Sequence, residues 1–287
     1  MSPVSDLHVI IVTFKVRDLL RDCLASLRES RLNGLTLAVT VIDNDSADGS
    51  AEMVEQEFPE YAVVRSGNLG YPHGNNLGFA RFTGRYQLML NPDTLLPPSA
   101  LADAIRYMDA HPDIGAMGPR LVLADGGLDL ACRRSFPTPL NALAKFSGLA
   151  RLFPRSRTLA AYNLTYLDPR HEADVDSLVG AFMLLRTAAL EQIGGLDETF
   201  FMYGEDLDLC YRLHALGWRV VYWPDVTVLH YKRASSSQSD RAGREFFRAM
   251  RIFYDKHYAD TALPGQPPLV RAGIGALQRF VGHSRGS

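Results

Sequence analysis

LHVIIVTFKVRDLLRDCLASLRES, residues 7–30, decides the fold. Leu7 to Phe14 is a β-branched apolar run, which reads as a strand; from Val16 to Ser30, Leu19, Leu20, Cys23, Leu24 and Leu27 recur at helical spacing. The same alternation continues outward from this unit. A second strand, Leu35 to Asp43, stops at Asn44-Asp45-Ser46, and a short helix from about Ser50 leads to a third strand at Tyr61 to Ser66. Gly70, Gly74 and Gly78 punctuate a loop and helix before the next strand, Tyr86 to Leu90, which ends in Asn91-Pro92-Asp93. Strands alternating with helices predict a largely parallel sheet with helices on both faces. In such sheets ligands sit beyond the carboxyl ends of the strands, where Thr13, Asp43 and Asp93 all lie.

The chain has 287 residues, enough for one large domain with a substantial core. Its formal charge of −2 comes from mixed acids and bases without a long run of either sign, so nothing points to nucleic acid, and a small-molecule substrate stays open. Cys23, Cys132 and Cys210 are far apart without CxxC spacing, which speaks against a disulfide framework and a zinc site and for a reducing compartment. No apolar stretch approaches the ~18 residues of a spanning helix. The N-terminus enters a strand pattern without a secretory preamble, so the expected location is the cytoplasm. The segment Pro268 to Arg285 mixes Leu269, Val270, Ile274, Leu277, Phe280 and Val281 with Arg271, Arg279 and Arg285. It reads either as an interfacial amphipathic helix or as a terminal helix packed on the domain.

After Cys132 the regular pattern weakens. Arg133 to Asp176 carries several prolines, two adjacent arginines and no sustained period, and reads as a long excursion over the site. Order returns with Leu178 to Leu185, a helix to Ile193 closed by Gly194-Gly195, and a helix from about Glu205 to Leu216 closed by Gly217. Two short strands are expected at Arg219 to Trp223 and Val226 to Tyr231, separated by Pro224-Asp225. Ser235, Ser236 and Ser237 make a polar break before a last helix near Arg241 to His257.

Several positions have residue types suited to chemistry. In extended chain, positions i and i+2 point the same way, so the side-chain oxygens of Asn91 and Asp93 could face one hard divalent cation, Mg²⁺ or Mn²⁺; the same tripeptide is also ordinary turn chemistry. His230 shares a strand face with Val226 and Val228, as a satisfied core histidine also would. Glu205-Asp206 opens a helix, where carboxylates are favoured by the dipole. Asp208 can pair with Arg212 at i,i+4 while Leu209, Leu213 and Leu216 face the core; Asp206 has no such evident partner. The Gly70, Gly74, Gly78 spacing is not GxGxxG, and no GxxxxGK[ST], HExxH or GxSxG occurs, so nicotinamide, flavin, P-loop, zinc-protease and α/β-hydrolase readings lose support.

Taken in order, these stretches resemble the family 2 glycosyltransferases of the GT-A fold, particularly their rhamnosyltransferase-like branch. The resemblance covers most of Val9 to Tyr231. It is carried by VIIVTFK at 9–15, VIDNDSADGS at 41–50, NLGYPHGNNLGF at 68–79, LMLNPDT at 88–94, VGAFMLLR at 179–186 and GGLDETFFMYGEDLDLCYRLHALGW at 194–218. It implies a mostly parallel, Rossmann-like sheet flanked by helices with a smaller C-terminal acceptor-side region. Residues 1–231 would form the transferase domain, split into a nucleotide-sugar half at 1–120 and an acceptor and catalytic half at 121–231 that includes the irregular 133–176; 232–287 would be a helical extension.

Residue by residue, the resemblance implies that Thr13, Asp43 and Asn44 hold the nucleoside and that Gly70 and Asn76 shape the crevice beside it. Asp93 would be the main metal-binding carboxylate. Many relatives have Asp-x-Asp where Asn91-Pro92-Asp93 stands, so Asn91 supplies a neutral oxygen or none. His230 matches a position that often completes the metal site. Asp206 matches the catalytic base, taking the proton of an acceptor hydroxyl as it attacks the anomeric carbon opposite the leaving diphosphate. An ordinary Asp is a weak base, with a pKa of ~3.9, so positioning must supply much of the effect. Glu205 would orient the acceptor or a neighbouring backbone group. The implied partners are a nucleotide-diphosphate sugar, best read as dTDP-rhamnose with another, UDP- or GDP-linked, sugar as the alternative, and a glycan or lipid-linked glycan acceptor. Arg133, Arg134, Arg151, Arg155 and Arg157 would bind an acceptor phosphate or stand as solvated surface charge, and a peripheral contact with the inner face of the membrane would suit such an acceptor. A nucleotidyltransferase is the weaker enzyme reading, because no Gly-rich basic loop follows the first strand. An inactive nucleotide-sugar-binding protein is the alternative from another class, with Asn91 its sequence support.

Overall fold

The structure of the chain, a computed structural model, describes residues 5–81, 84–232 and 240–283. In its first part β1 (Ser5–Thr13), α1 (Arg17–Arg28), β2 (Leu37–Asn44), α2 (Ser50–Glu57), β3 (Ala62–Ser66), α3 (Tyr71–Phe79) and β4 (Gly84–Leu90) follow one another. The central strand β1 is hydrogen-bonded in parallel to β2 and β4, and β2 in parallel to β3. Both faces of β1 are covered, which is why its apolar residues run on without alternating. Leu7, Val9 and Ile11 pack with Leu20, Cys23, Leu24 and Leu27 of α1, while Ile10 and Val12 pack against α3 on the other face. α3 lies so close that a Cβ on Gly78 would stand 2.5 Å from Ile10, so glycine spacing here sets the approach of helix to sheet.

The second part comprises β5 (Thr94–Leu95), α4 (Ala100–Ala110), β6 (Ile114–Val122), α5 (Pro139–Phe146), α6 (Leu149–Leu152), β7 (Ala173–Asp174), β8 (Phe182–Arg186), α7 (Thr187–Ile193), α8 (Glu205–Ala215), β9 (Arg219–His230), α9 (Asp240–His257) and α10 (Gln266–His283). These strands extend the same sheet, whose order is β3-β2-β1-β4-β8-β6-β9-β5, with β7 also on β9. The longest ladders, β1 with β2 and β4 and β6 with β9, are parallel as expected; β8 runs antiparallel to both β4 and β6, so the sheet is mixed.

Several sequence expectations need correction. Arg219 to His230 is one strand, not two: Pro224-Asp225 falls in a bulge, where the register with β6 passes from Pro119–Trp223 to Arg120–Thr227. A proline without an N–H fits such a bulge without ending the strand. The excursion after Arg133 is not wholly irregular, since α5 begins with a capping box in which Thr138 and Asn141 bond each other's backbone. Leu216 does not join Leu209 and Leu213 in the core; it caps α8 and is 52% exposed. The tail helix α10 packs along α9, with Ile274 buried and Arg271 Nε 2.9 Å from Asp255. The polar break at Ser235, Ser236 and Ser237, and Arg285, lie outside the described residues. The three cysteines are free and buried, and among the described residues no helix is long and apolar enough to cross a membrane.

Candidate active site

The parallel register sets Thr13 beside Asp43 at the carboxyl ends of β1 and β2. Lys15 N–H donates to Ser46 Oγ at 3.1 Å and Ser46 N–H to Asp43 Oδ1 at 3.3 Å, which ties the two loops together. Asn44 Nδ2 donates to the Gly70 carbonyl at 3.2 Å, joining them to the start of α3. Gly70 itself is at φ +112, and a Cβ there would lie 2.6 Å from the Phe201 carbonyl oxygen, which accepts from Tyr71 N–H at 2.8 Å. The loop that leads into α8 is thereby held over α3. Thr13 Oγ1 and Asn44 Oδ1 are buried without a hydrogen-bond partner among the described residues. Buried polar atoms are ordinarily satisfied, so such a pair facing one crevice points to a ligand. Lys15, Asp45 and Ala47 around this crevice adopt left-handed φ, a conformation that clusters at ligand-holding loops. Asn76 is engaged instead in structure: its amide bonds Leu196 N–H and C=O, each at 2.9 Å, and Glu198 at 2.8 Å.

Asp93 is buried at the end of β4, and neither carboxylate oxygen has a hydrogen-bond partner among the described residues. The pairing of β5 with β9 sets Thr94 opposite His230, and His230 Nε2 comes within 3.4 Å of Asp93 Oδ1. On its other side His230 Nδ1 is 2.9 Å from Asp129 Oδ2, and Lys232 Nζ is 2.8 Å from Asp129 Oδ1. Burial opposes ionisation of Asp129, but bonds from His230 and Lys232 prevail and hold it well below the usual carboxylate range. Burial likewise lowers His230, and its contacts with Asp129 and Asp93 prevail to push it up to about 9. A cation entering here would displace the proton of His230, and a carboxylate with an imidazole whose far nitrogen is fixed by a second carboxylate would fit a divalent cation. Among the described residues no cluster of three such ligands occurs, so the rest of the shell would come from phosphate and water. Asn91 stands on the same turn, but its Oδ1 lies 3.1 Å from the Tyr71 hydroxyl.

Glu205 and Asp206 open α8 behind Gly204, whose left-handed φ turns the chain into the helix. Asp206 Oδ1 accepts from Leu207 N–H at 2.8 Å, and Oδ2 lies 2.7 Å from Arg134 Nη2. The same guanidinium donates to Ser177 Oγ at 3.2 Å and to the Leu178 carbonyl. Asp206 therefore does have a partner, one that sequence reasoning missed because it lies 72 residues away. Burial, and then the charge of Asp206, push Glu205 far above the carboxylate range, and its Oε2 is unpartnered among the described residues. Tyr71 was also missed, although it stands inside the quoted NLGYPHGNN stretch. Burial raises its hydroxyl first, the charge of Glu205 adds to this, a bond with Asn75 opposes it, and the charges of Asp206 and Asp93 raise it further.

The remaining predicted residues fall elsewhere. Arg133 is buried, donates to the Leu167 and Asp168 carbonyls at 2.7 and 3.2 Å, and lies over the Tyr222 ring. Neither it nor Arg134 is free to bind an acceptor phosphate; both hold the excursion to the body. Arg151, Arg155 and Arg157 are exposed. Asp208 pairs with Arg212 as expected, at 2.8 Å, and also with Lys256 and His257 of α9 at 2.7 and 2.8 Å.

Comparison with known proteins supplies the context. The sequence profile described as Glycosyltransferase like family 2 matches residues 3–248. An N-acetylglucosaminyl-diphospho-decaprenol L-rhamnosyltransferase of Mycobacterium tuberculosis is 31% identical over 244 residues, 81% of this chain and 78% of that protein. The rhamnosyltransferase WbbL of Escherichia coli is 26% identical over 234 residues, 78% of this chain and 83% of its own. Among solved structures, S. aureus TarS in complex with UDP-GlcNAc superposes with a TM-score of 0.60 at 16% identity, over 94% of this chain and 71% of that one. A mannosyltransferase of Pyrobaculum calidifontis in complex with GDP-Man and Mn²⁺ gives 0.59 at 17% identity, over 96% and 70%. Both share the fold.

Proposed function

The chain belongs to the glycosyltransferase-like family 2, and on that premise we propose that it moves rhamnose from dTDP-rhamnose to a hydroxyl of a lipid-linked glycan precursor, with inversion at the anomeric carbon. The observation that carries this reading is the set of buried polar atoms, Thr13 Oγ1, Asn44 Oδ1 and both oxygens of Asp93, that have no hydrogen-bond partner among the described residues and lie at the carboxyl ends of neighbouring strands. The choice of rhamnose is supported by the named rhamnosyltransferases among the relatives.

In this reading Thr13, Asp43 and Asn44 hold the nucleoside, and Gly70 gives the backbone room to pass under it. Asn76 shapes that wall indirectly, by tethering the loop before α8. Asp93 and His230 would hold a divalent cation, Mg²⁺ or Mn²⁺, which would supply charge neutralisation for the departing diphosphate. Asn91, through its contact with Tyr71, sets the height of the crevice floor. Asp206 accepts the proton of the acceptor hydroxyl as that oxygen attacks. Arg134 Nη2 and Leu207 N–H fix the two oxygens of Asp206 at 2.7 and 2.8 Å, and each oxygen keeps a second lone pair for the acceptor. Glu205, held protonated by burial and by Asp206, can donate a hydrogen bond and so orients the acceptor. Transfer in one displacement requires no covalent enzyme intermediate. The nucleotide-sugar half is assigned to 1–120, the acceptor half to 121–231, and the setting is cytoplasmic.

A donor panel tests the assignment. The midpoint of thermal unfolding is measured with dTDP-rhamnose, UDP-galactose, UDP-N-acetylglucosamine and GDP-mannose, each with and without Mn²⁺. A Mn²⁺-dependent rise with dTDP-rhamnose that Asp206→Asn retains and Asp93→Asn loses is expected. A rise only with a UDP- or GDP-linked sugar would overturn the rhamnose assignment.

A further inference from the structure

Between Asp129 and Asp168 the chain carries none of its 32 acidic residues, although its total of acids exceeds its 30 lysines and arginines. Six cations stand there: Arg133 and Arg134, both spent on internal contacts, and Lys145, Arg151, Arg155 and Arg157. Among the last four, the three arginines are exposed and their side chains make no hydrogen bond or ion pair among the described residues. Interleaved with them on α5, α6 and the turn beyond are Leu140, Leu143, Leu149, Leu152 and Phe153, between 38% and 72% exposed. They make up half of the large hydrophobics exposed to that degree among the described residues, gathered within residues 140–153. Single exposed leucines are ordinary, whereas a contiguous group marks a surface that something covers.

The face is built rather than frayed. Thr138 and Asn141 cap α5, and Asn141 and Ala144 are buried on its inner side while Leu140 and Leu143 point outward. Behind α5 lies a small, partly open apolar pocket, lined by Ala142 and Phe146 of this helix, by Phe246 of α9, and by Tyr203 and Leu207, which flank Glu205 and Asp206. The outward face and the carboxylates thus stand on opposite sides of one apolar space.

We propose that the α5–α6 segment, residues 139–157, seats the protein on the surface of an anionic lipid bilayer. Leu143, Leu149, Leu152 and Phe153 enter the headgroup boundary, and Arg151, Arg155 and Arg157 meet lipid phosphates. The charge decides the occupant. Two copies of this face would oppose like charges without an acid to relieve them, while an anionic bilayer complements both the cations and the apolar residues. The C-terminal helix, which the sequence offered for this role, is instead held to α9 through Ile274 and Arg271.

Flotation of the full chain with vesicles of phosphatidylcholine, alone or mixed with phosphatidylglycerol, tests this without any sugar donor or acceptor. Failure here is therefore separable from failure of the transferase reading. Binding to the mixed vesicles only is expected, falling as salt rises. The triple variant Arg151→Ala/Arg155→Ala/Arg157→Ala should bind ~100-fold more weakly, at about fivefold per arginine. Leu152→Glu should bind at least ~10-fold more weakly, and Leu269→Glu on α10 should bind normally, all three melting as the parent does. Absence of binding, equal binding to neutral vesicles, or loss with Leu269→Glu alone overturns the proposal. So does a dimer that Leu152→Glu splits in the absence of lipid binding.

Discussion

Replacing Arg134 with glutamine probes the contact on which the catalytic assignment leans. The Arg134 and Asp206 side chains are 10% and 9% exposed and their charged atoms are 2.7 Å apart. Water therefore screens the pair little, and removing one member strands the other. Asp206 would be left buried with Glu205 as its neighbour and no counter-charge. Loss of one partner of a buried pair costs about 3–5 kcal/mol, whereas an exposed pair such as Arg106–Asp103 is worth ~0–1 kcal/mol. At roughly 2 °C per kcal/mol for a chain of this size, Arg134→Gln lowers the thermal midpoint by roughly 6–10 °C. Asp206→Asn strands the guanidinium and should cost a similar amount. In the double variant both charges are gone and two amides can bond each other, so the double variant costs much less than the sum. Urea unfolding of the four proteins gives the coupling, expected at about 2 kcal/mol or more. Coupling below about 0.5 kcal/mol, or a loss from Arg134→Gln no larger than that of an exposed pair, would refute the reasoning.

Three further outcomes follow from the same geometry. Glu205 is raised to about 8 by burial and by the Asp206 charge, so between about pH 4.5 and 8 the folded chain holds a proton that the unfolded chain releases. Stability should fall as pH rises across that window, by up to about 1.4 kcal/mol per pH unit, and Glu205→Gln should flatten the slope in urea titrations; an unchanged slope speaks against it. Asp208 has the opposite sign: burial raises it, but His257 and Lys256 prevail and hold it at about 2, so its stabilisation is complete above about pH 4 and lost as pH falls toward 2. Asp208→Asn should cost about 2 kcal/mol at neutral pH and remove that acid limb, as thermal melts across the acid range would reveal. Gly70→Ala sets a Cβ 2.6 Å from the Phe201 carbonyl at a φ of +112, and a loss of at least ~2 kcal/mol with weaker donor binding is expected in calorimetry. Parent-like behaviour would mean that the loop before α8 does not rest on α3.

What the sequence made legible was what depends on neighbours along the chain. β1, β2, β4 and α1 announced themselves because strands buried on both faces are near-continuous apolar runs and the helix carries one apolar stripe. The strand-end positions Thr13, Asp43 and Asp93 followed from that alternation. Pairings between distant segments were not legible. Asp206 looked unpartnered on its own helix, and its arginine arrives from an excursion without periodicity. Asp129, which fixes the His230 imidazole, lies 101 residues from it and stood in no motif. Pro224 predicts a strand break because a missing N–H looks the same at a strand end and in a bulge until the facing strand is known. The motif around Asn76 implies a crevice residue, whereas both ends of its amide bond the loop at Leu196 to Glu198.

The most direct test of the central claim is product analysis. The purified chain is incubated with Mn²⁺, dTDP-β-L-rhamnose and a polyprenyl-diphosphate-linked N-acetylglucosamine, and the lipid product is examined by mass spectrometry and by NMR of the new anomeric centre. A mass increase of one deoxyhexose in α-linkage, at least ~100-fold slower with Asp206→Asn, is the predicted result. A β-linked product, undiminished transfer by Asp206→Asn, or transfer only from a UDP- or GDP-linked sugar would contradict it.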